Sequence, residues 1–243
     1  MKLNKITAAT ILVMVAPLSQ ANGLLSDAPE EGYVGNIDFG FVSTSGNSDT
    51  ESLNGAFDYV RRVTENYATG ISMSGINNKS GDTRDVERYS FAWNNRYDLS
   101  ENSFLYGILD YTDDRFGAYD YQTGVYLGYG HQFFKDDSGH LSLGIGLGYR
   151  INAVFSGEDE KEAVARGDLD YGYTISENAA FSQKLTAVFG EEVDTYTSES
   201  ALTAKISDSL ALKVAYLVNH NSKVPVGSEK TDRTTTIGIS YSF

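Results

Sequence analysis

The feature that most constrains this chain is an alternation of apolar and polar side chains with a period of two residues, repeated along almost its whole length. Between His140 and Ile151, Leu141, Leu143, Ile145, Leu147, Tyr149 and Ile151 share one face. His140, Ser142, Gly144, Gly146, Gly148 and Arg150 share the other. Side chains of a strand point alternately to the two sides of a sheet, so this pattern specifies a strand with one apolar and one polar face. The last segment repeats it, with Ile237, Ile239, Tyr241 and Phe243 against Thr236, Gly238, Ser240 and Ser242.

Twelve such segments are predicted, at 33–44, 51–63, 66–77, 86–99, 102–113, 119–133, 140–152, 162–175, 179–190, 195–206, 209–220 and 231–243. In the fifth the phase is open, because Phe104, Tyr106 and Ile108 compete with Leu105, Leu109 and Tyr111 for the apolar face. The connections also alternate. One set is short and nearly repeats itself: Thr64-Glu65-Asn66, Ser100-Glu101-Asn102, Ser176-Glu177-Asn178 and Ser207-Asp208-Ser209, with 135–139 slightly longer. The other set is longer and more charged, at 45–50, 77–85, 113–118, 155–162, 191–194 and 221–230. Short turns at one end and long loops at the other are the asymmetry of an all-β, antiparallel up-and-down transmembrane barrel, with periplasmic turns and extracellular loops. Segments of this length, tilted, cross a bilayer.

A soluble sandwich would turn the apolar face inward; a transmembrane barrel turns it outward. Three features favour the barrel. Aromatics sit near segment ends on the apolar face, at Tyr33, Tyr59, Tyr67, Tyr97, Phe133, Tyr173 and Phe181, as in an interfacial girdle. The polar face carries both signs of charge. The chain closes on Tyr241-Ser242-Phe243, a terminal aromatic resembling the signal read by the barrel-assembly machinery, so Tyr241 and Phe243 are the expected assembly signal.

The first residues read differently. Lys2 and Lys5 precede an apolar stretch, Ile6 to Leu18, too short to span a bilayer, and Ser19-Gln20-Ala21 offers small residues for cleavage. A cleaved signal peptide is expected over 1–21, then a short periplasmic segment over 22–32 and the barrel over 33–243. No cysteine follows the apolar core, which excludes a lipid-anchored lipoprotein. The chain has no cysteine at all, which also excludes thiolate metal sites and cysteine nucleophiles. Losing Lys2 and Lys5 takes the formal charge from −14 to −16, so nucleic acid is excluded as a partner.

Several stretches together resemble a family of salt-induced outer-membrane proteins, the YdiY-like proteins of domain of unknown function 481. The carrying residues are Thr44-Ser45-Gly46-Asn47-Ser48-Asp49-Thr50, Asp113-Asp114-Arg115-Phe116 with Tyr119-Asp120-Tyr121, then Gly124, Gly128-Tyr129-Gly130, Gly148-Tyr149-Arg150, and the end from Lys230-Thr231-Asp232 to Phe243. The resemblance implies an outer-membrane barrel and supplies no catalytic or binding residue.

On this phase the lumen-lining candidates are the acids Asp38, Asp58, Asp110, Asp168, Asp170 and Glu199 and the bases Arg96, Arg150, Arg166, Lys184, Lys205 and Lys213. They form either a polar pore whose charges tune ion passage or a network of ion pairs that plugs the barrel, since buried charges must be paired. Arg150 and Arg166, on adjacent segments, require an intervening acid such as Asp168 or one from a loop. Inward glycines cluster on two neighbouring segments, at Gly124, Gly128, Gly130, Gly144, Gly146 and Gly148. They either make room for solute or are covered by Tyr126 and other large inward side chains. His220-Asn221-Ser222 has the spacing of an outer-membrane lipid hydrolase's His-x-Ser pair, but no Asn or Glu follows on the next strand to orient the histidine. His140-x-Ser142 faces inward at the wrong end, and His131 has no ligand partners. The acidic stretches 45–49 and 157–160 lack the spacing of a known calcium loop. The expectation is a barrel that is not an enzyme and has no cofactor or metal. It would work as a narrow passive channel for ions or small solutes, or alternatively as a closed structural barrel supporting the envelope under salt stress, with a lipid hydrolase as the remote third. Its partners would be outer-membrane lipid, the barrel-assembly machinery and passing solutes.

Overall fold

A computed structural model describes residues 23–44, 50–80, 83–117, 119–155, 158–224 and 229–243. The leader expected over 1–21 and the acidic loop 45–49 lie outside them. Twelve strands follow one another: β1 (Tyr33–Thr44), β2 (Thr50–Thr64), β3 (Tyr67–Ser80), β4 (Thr83–Asp98), β5 (Ser103–Asp114), β6 (Tyr121–Asp136), β7 (Gly139–Ala153), β8 (Glu160–Ser176), β9 (Ala179–Phe189), β10 (Thr195–Lys205), β11 (Leu210–Asn221) and β12 (Thr231–Ser242). Each pairs antiparallel with the next, and β12 returns to β1, closing an up-and-down barrel with no free edge. Among the described residues no helix is long and apolar enough to cross a membrane.

The expected strands recur with one clear correction. Residues 77–85 are not a long loop: β3 and β4 stay paired as far as Ser80 and Thr83, past a bulge at Asn78/Lys79. Polar residues such as Asn77, Asn78 and Lys79 lower apolarity without ending a ladder, because backbone pairing continues wherever both faces meet water.

Burial in this barrel is the reverse of a soluble protein's. Leu127, Ile145 and Leu147 are each more than 70% exposed on the outer wall, whereas Lys213 is 1% exposed inside. Exposed aromatics gather at both ends of the outer wall, with Tyr33, Tyr97, Phe133 and Tyr173 toward the short turns and Tyr89, Tyr111, Tyr149 and Phe189 toward the long loops. An apolar belt between two aromatic girdles is a surface suited to a lipid solvent.

The closing seam differs from the other ladders. β1 and β12 are paired only over Asn36–Gly40 and Gly238–Ser242, five residue pairs, against eleven between β11 and β12. At its short-turn end, Gly35 N–H donates to the Phe243 carbonyl (2.9 Å) and Phe243 N–H to the Gly35 carbonyl (3.0 Å). The Phe243 ring lies over Gly35, where a Cβ would come within 2.4 Å of it.

The segment before β1 is not left outside. The sequence reading set residues 22–32 apart as a periplasmic lead-in; residues 23–28 lie inside the wall at its short-turn end, with Leu24, Leu25, Ser26 and Ala28 all buried.

Candidate functional site

The lumen is the candidate site, and the N-terminal segment divides it. Wall side chains hold that segment by its carbonyl oxygens. Arg96 Nη1 donates to Leu24 O (3.3 Å), Gln132 Nε2 to Ser26 O (3.5 Å), Lys135 Nζ to Ala28 O (2.8 Å) and Arg62 Nε to Pro29 O (3.1 Å). The same arginines share Asp98, with Arg96 at 2.6 Å and Arg62 at 2.7 Å.

Around this insert the short-turn half is full of paired charge. Lys213 Nζ reaches Asp38 Oδ2 at 2.9 Å with both side chains at most 2% exposed. His140 Nε2 lies 3.2 Å from Asp170 Oδ1. The strand register sets Lys184 of β9 between Asp170 of β8 and Glu199 of β10. Asp58 is also buried here, and Lys205, half-buried, shares the inward phase of Thr203 at the end of β10.

Halfway along the barrel the interior turns apolar. Leu24 packs with Phe104, Tyr106, Ile108, Tyr126, Val164 and Val188. The ambiguous phase of β5 thus resolves with Phe104, Tyr106 and Ile108 inside and Leu105, Leu109 and Tyr111 outside. The glycines of β6 and β7 make this layer possible. A Cβ at Gly128 would lie 2.3 Å from the Tyr106 ring, and one at Gly130 2.2 Å from the Phe104 ring. Across the lumen, Leu24 Cδ2 would be 2.6 Å from a Cβ at Gly144. The glycine wall is therefore covered by large side chains.

Above that floor, toward the long loops, lies a cavity of about 470 Å³. Its neutral lining mixes hydroxyls and amides, such as Ser72, Ser90, Thr112, Thr186, Asn219 and Asn221, with apolar side chains such as Met73, Phe91 and Phe116. Its arginines are already engaged. Arg166 is bidentate to Asp168 (2.8 and 2.9 Å), with Asp110 farther off at 3.5 Å. Arg150 Nη2 donates to Glu162 Oε1 at 2.7 Å, and Glu162 also accepts from Asn152 (2.9 Å) and from the Glu192 N–H (2.8 Å). Arg88 pairs with Asp114 and reaches Asp232 at 3.4 Å across the mouth. Both arginines expected to need an acid have one: Asp168 serves Arg166, and Glu162, the register partner of Arg150, serves the other. Acid slightly exceeds base in the lining: Arg88, Arg150 and Arg166 stand with Asp110, Asp114, Glu229 and Asp232. On the loop beside it, burial and the hydrogen bond it donates to Glu160 (2.9 Å) push the Tyr119 phenol above its ordinary range.

Sequence reasoning passed over Arg62, Asp98, Arg88, Asp114 and Glu162, although the phase of Arg88, shared with Arg96, already sets it inward. It also passed over Leu24. The available signal was Leu24-Leu25, two bulky apolar residues in a stretch otherwise taken as solvated. Other candidates separate. His220 Nδ1 meets Thr231 Oγ1 at 2.7 Å, while Ser222 Oγ accepts the Asp194 N–H at 2.8 Å. His131 lies edge-on to Phe133. Among the described residues no group of three or more His, Asp or Glu is placed to hold a metal.

Comparison with known proteins gives a family and a fold. A family model described as "Protein of unknown function, DUF481" matches residues 37–243. The uncharacterized protein YdiY of Escherichia coli (strain K12) is 29% identical, with both chains covered in full. An outer membrane channel from Pseudomonas putida F1 superposes with a TM-score of 0.57 at 12% identity, covering 93% of this chain and all of that one. The NanC porin superposes at 0.53 with 13% identity, covering 86% and 98%. At these identities the likeness is one of fold.

Proposed function

Since the chain belongs to the DUF481 family, whose description leaves activity open, we propose from the geometry that it is an outer-membrane barrel forming a narrow passive conduit for ions and small solutes. The carrying observation is the polar cavity of about 470 Å³, which lies toward the long loops above an apolar layer around Leu24. Supporting the membrane placement are the apolar outer belt, its two girdles and the aromatic end of β12. The short turns and both termini then face the periplasm, and the cavity is an extracellular vestibule. Four lining acids against three arginines favour cations over anions, because a recess walled by one excess sign raises the local concentration of the opposite one. No residue is assigned a catalytic role, since His220 and Ser222 are each engaged elsewhere.

Planar bilayers test this reading. Small conductance steps of a single size, with a reversal potential favouring K⁺ over Cl⁻, are expected. Silence at every voltage would support the second reading, a closed structural barrel, which the paired charge of the periplasmic half favours. For the assembly machinery as partner, removing Phe243 takes away the ring over Gly35 and two backbone hydrogen bonds, so less heat-modifiable folded barrel should accumulate. Unchanged levels would count against that role.

A further inference from the structure

We infer that the segment Gly23–Pro29 is a removable inner gate and that Leu24 is the residue that closes the passage. The inference rests on the conduit reading above.

Three observations carry it. First, the segment lies where a solute leaving the vestibule would have to go. Leu24 is fully buried against Tyr106 and Tyr126, and Tyr126 also lines the vestibule. Directly below, the backbone of Leu24, Ser26 and Ala28 fills the space inside Arg96, Gln132 and Lys135. Second, the segment is held unlike any strand of the wall. It shares no ladder. Its hydrogen bonds to the wall run mostly from long, flexible side chains to carbonyl oxygens, Asp27 adds a charge facing Lys135, His140 and Lys184, and among the described residues it joins the wall through Gly32 into β1. Third, the wall is shaped for it yet largely self-sufficient. Leu24 sits against Gly144 and Leu25 against Gly70, where a Cβ would stand 3.1 Å from Leu25 Cδ2. With the segment withdrawn, Arg96 keeps Asp98 and Gln132, and Arg62 keeps Asp98. A charge that retains its ion pair does not strand its partner when one further acceptor leaves. Withdrawal would then expose two leucines and a ring of cationic side chains at the periplasmic mouth, and the floor would lose the one member that the barrel strands do not supply.

The chain's lack of cysteine allows a clean test. The variant Leu24→Cys/Gly144→Cys places thiols at neighbouring positions, since a Cβ at Gly144 would stand 2.6 Å from Leu24 Cδ2, and thiol titration after mild oxidation reports the crosslink. The oxidised protein should be silent in planar bilayers and conduct once reduced, at the level of the Leu24→Cys single variant. A second variant lacking residues 23–29, checked for folding by heat modifiability, should conduct several-fold more than wild type and without closures. A crosslink that fails to form, or conductance indifferent to reduction, overturns the gate. A folded deletion variant conducting like wild type does the same while leaving the conduit intact. If wild type, the reduced crosslink variant and a folded deletion variant are all silent, the conduit reading falls and the gate falls with it. Where the deletion variant does not fold, the crosslink alone decides.

Discussion

In the short-turn half of the lumen, Lys213 and Asp38 meet at 2.9 Å with at most 2% of either side chain exposed; in the long-loop half, Arg88 and Asp114 pair at a cavity mouth and stretch to an exposed Asp232. The strands are the same and the alternation is unbroken, so the polar face alone does not decide whether a barrel of this size is full. Barrels of about eight strands are filled by side chains and those of 16–18 strands hold water, which leaves twelve between the two regimes. This chain uses both. What changes along the axis is the filler, a stretch of backbone, two leucines and three inward rings at one end, and at the other a cavity whose wall includes many short hydroxyl and amide side chains.

The comparison is sharpest where a buried charge loses its partner. Lys213→Ala leaves Asp38 enclosed and should lower stability by roughly 3–5 kcal/mol in a denaturant titration of the folded barrel. Adding Asp38→Ala should recover much of the loss. A loss below roughly 1 kcal/mol would mean that water reaches the short-turn half. Next comes a charge put where none exists. Ile145→Arg on the outer belt should cost roughly 2–4 kcal/mol, whereas Ser74→Arg, whose side chain enters the vestibule, should cost far less. The opposite ranking would turn the barrel inside out. Arg150→Ala falls between the halves: its pair is buried, but Glu162 keeps Asn152 and the Glu192 N–H as donors, so a loss of roughly 1–3 kcal/mol is expected. The smallest effect belongs to the mouth. Arg88→Ala should change stability by about 1 kcal/mol or less, yet shift ion preference further toward cations in bilayer recordings. Unchanged selectivity would show that the rim does not shape the field.

Much of this was legible in the alternation. A strand with Leu143, Ile145 and Leu147 on one face and Gly144, Gly146 and Gly148 on the other has one way to sit in a membrane, and the inward phase of Asp38, Arg166 and Lys213 follows from the same count. The pairing of Arg150 does not follow from the alternation, because Glu162 stands at the boundary between the connection 155–162 and the segment 162–175; only the register brings the two opposite. β5 was ambiguous for a physical reason: both its faces are apolar, one for lipid and one for the floor around Leu24. The seating of residues 23–29 was beyond period counting altogether. That segment has no periodicity and is recognised through its carbonyl oxygens, which every sequence carries alike.

The short seam between β1 and β12 has a consequence for the rate at which the molecule forms. Every other ladder joins strands adjacent in the chain, so each can zip from a nearby turn. The seam joins Gly40 to Gly238 and must bring together nearly the whole length of the polypeptide for only five residue pairs. Loop closure is costliest, and repaid least, at that step. The ring is then slowest to complete where it is thinnest, and until it does, two bare strand edges remain as templates for another chain. Gly35 and Phe243, which meet there in a pair of hydrogen bonds and a ring contact, act as the latch that ends that exposure, and their weight falls on the lifetime of the open form more than on the stability of the closed one.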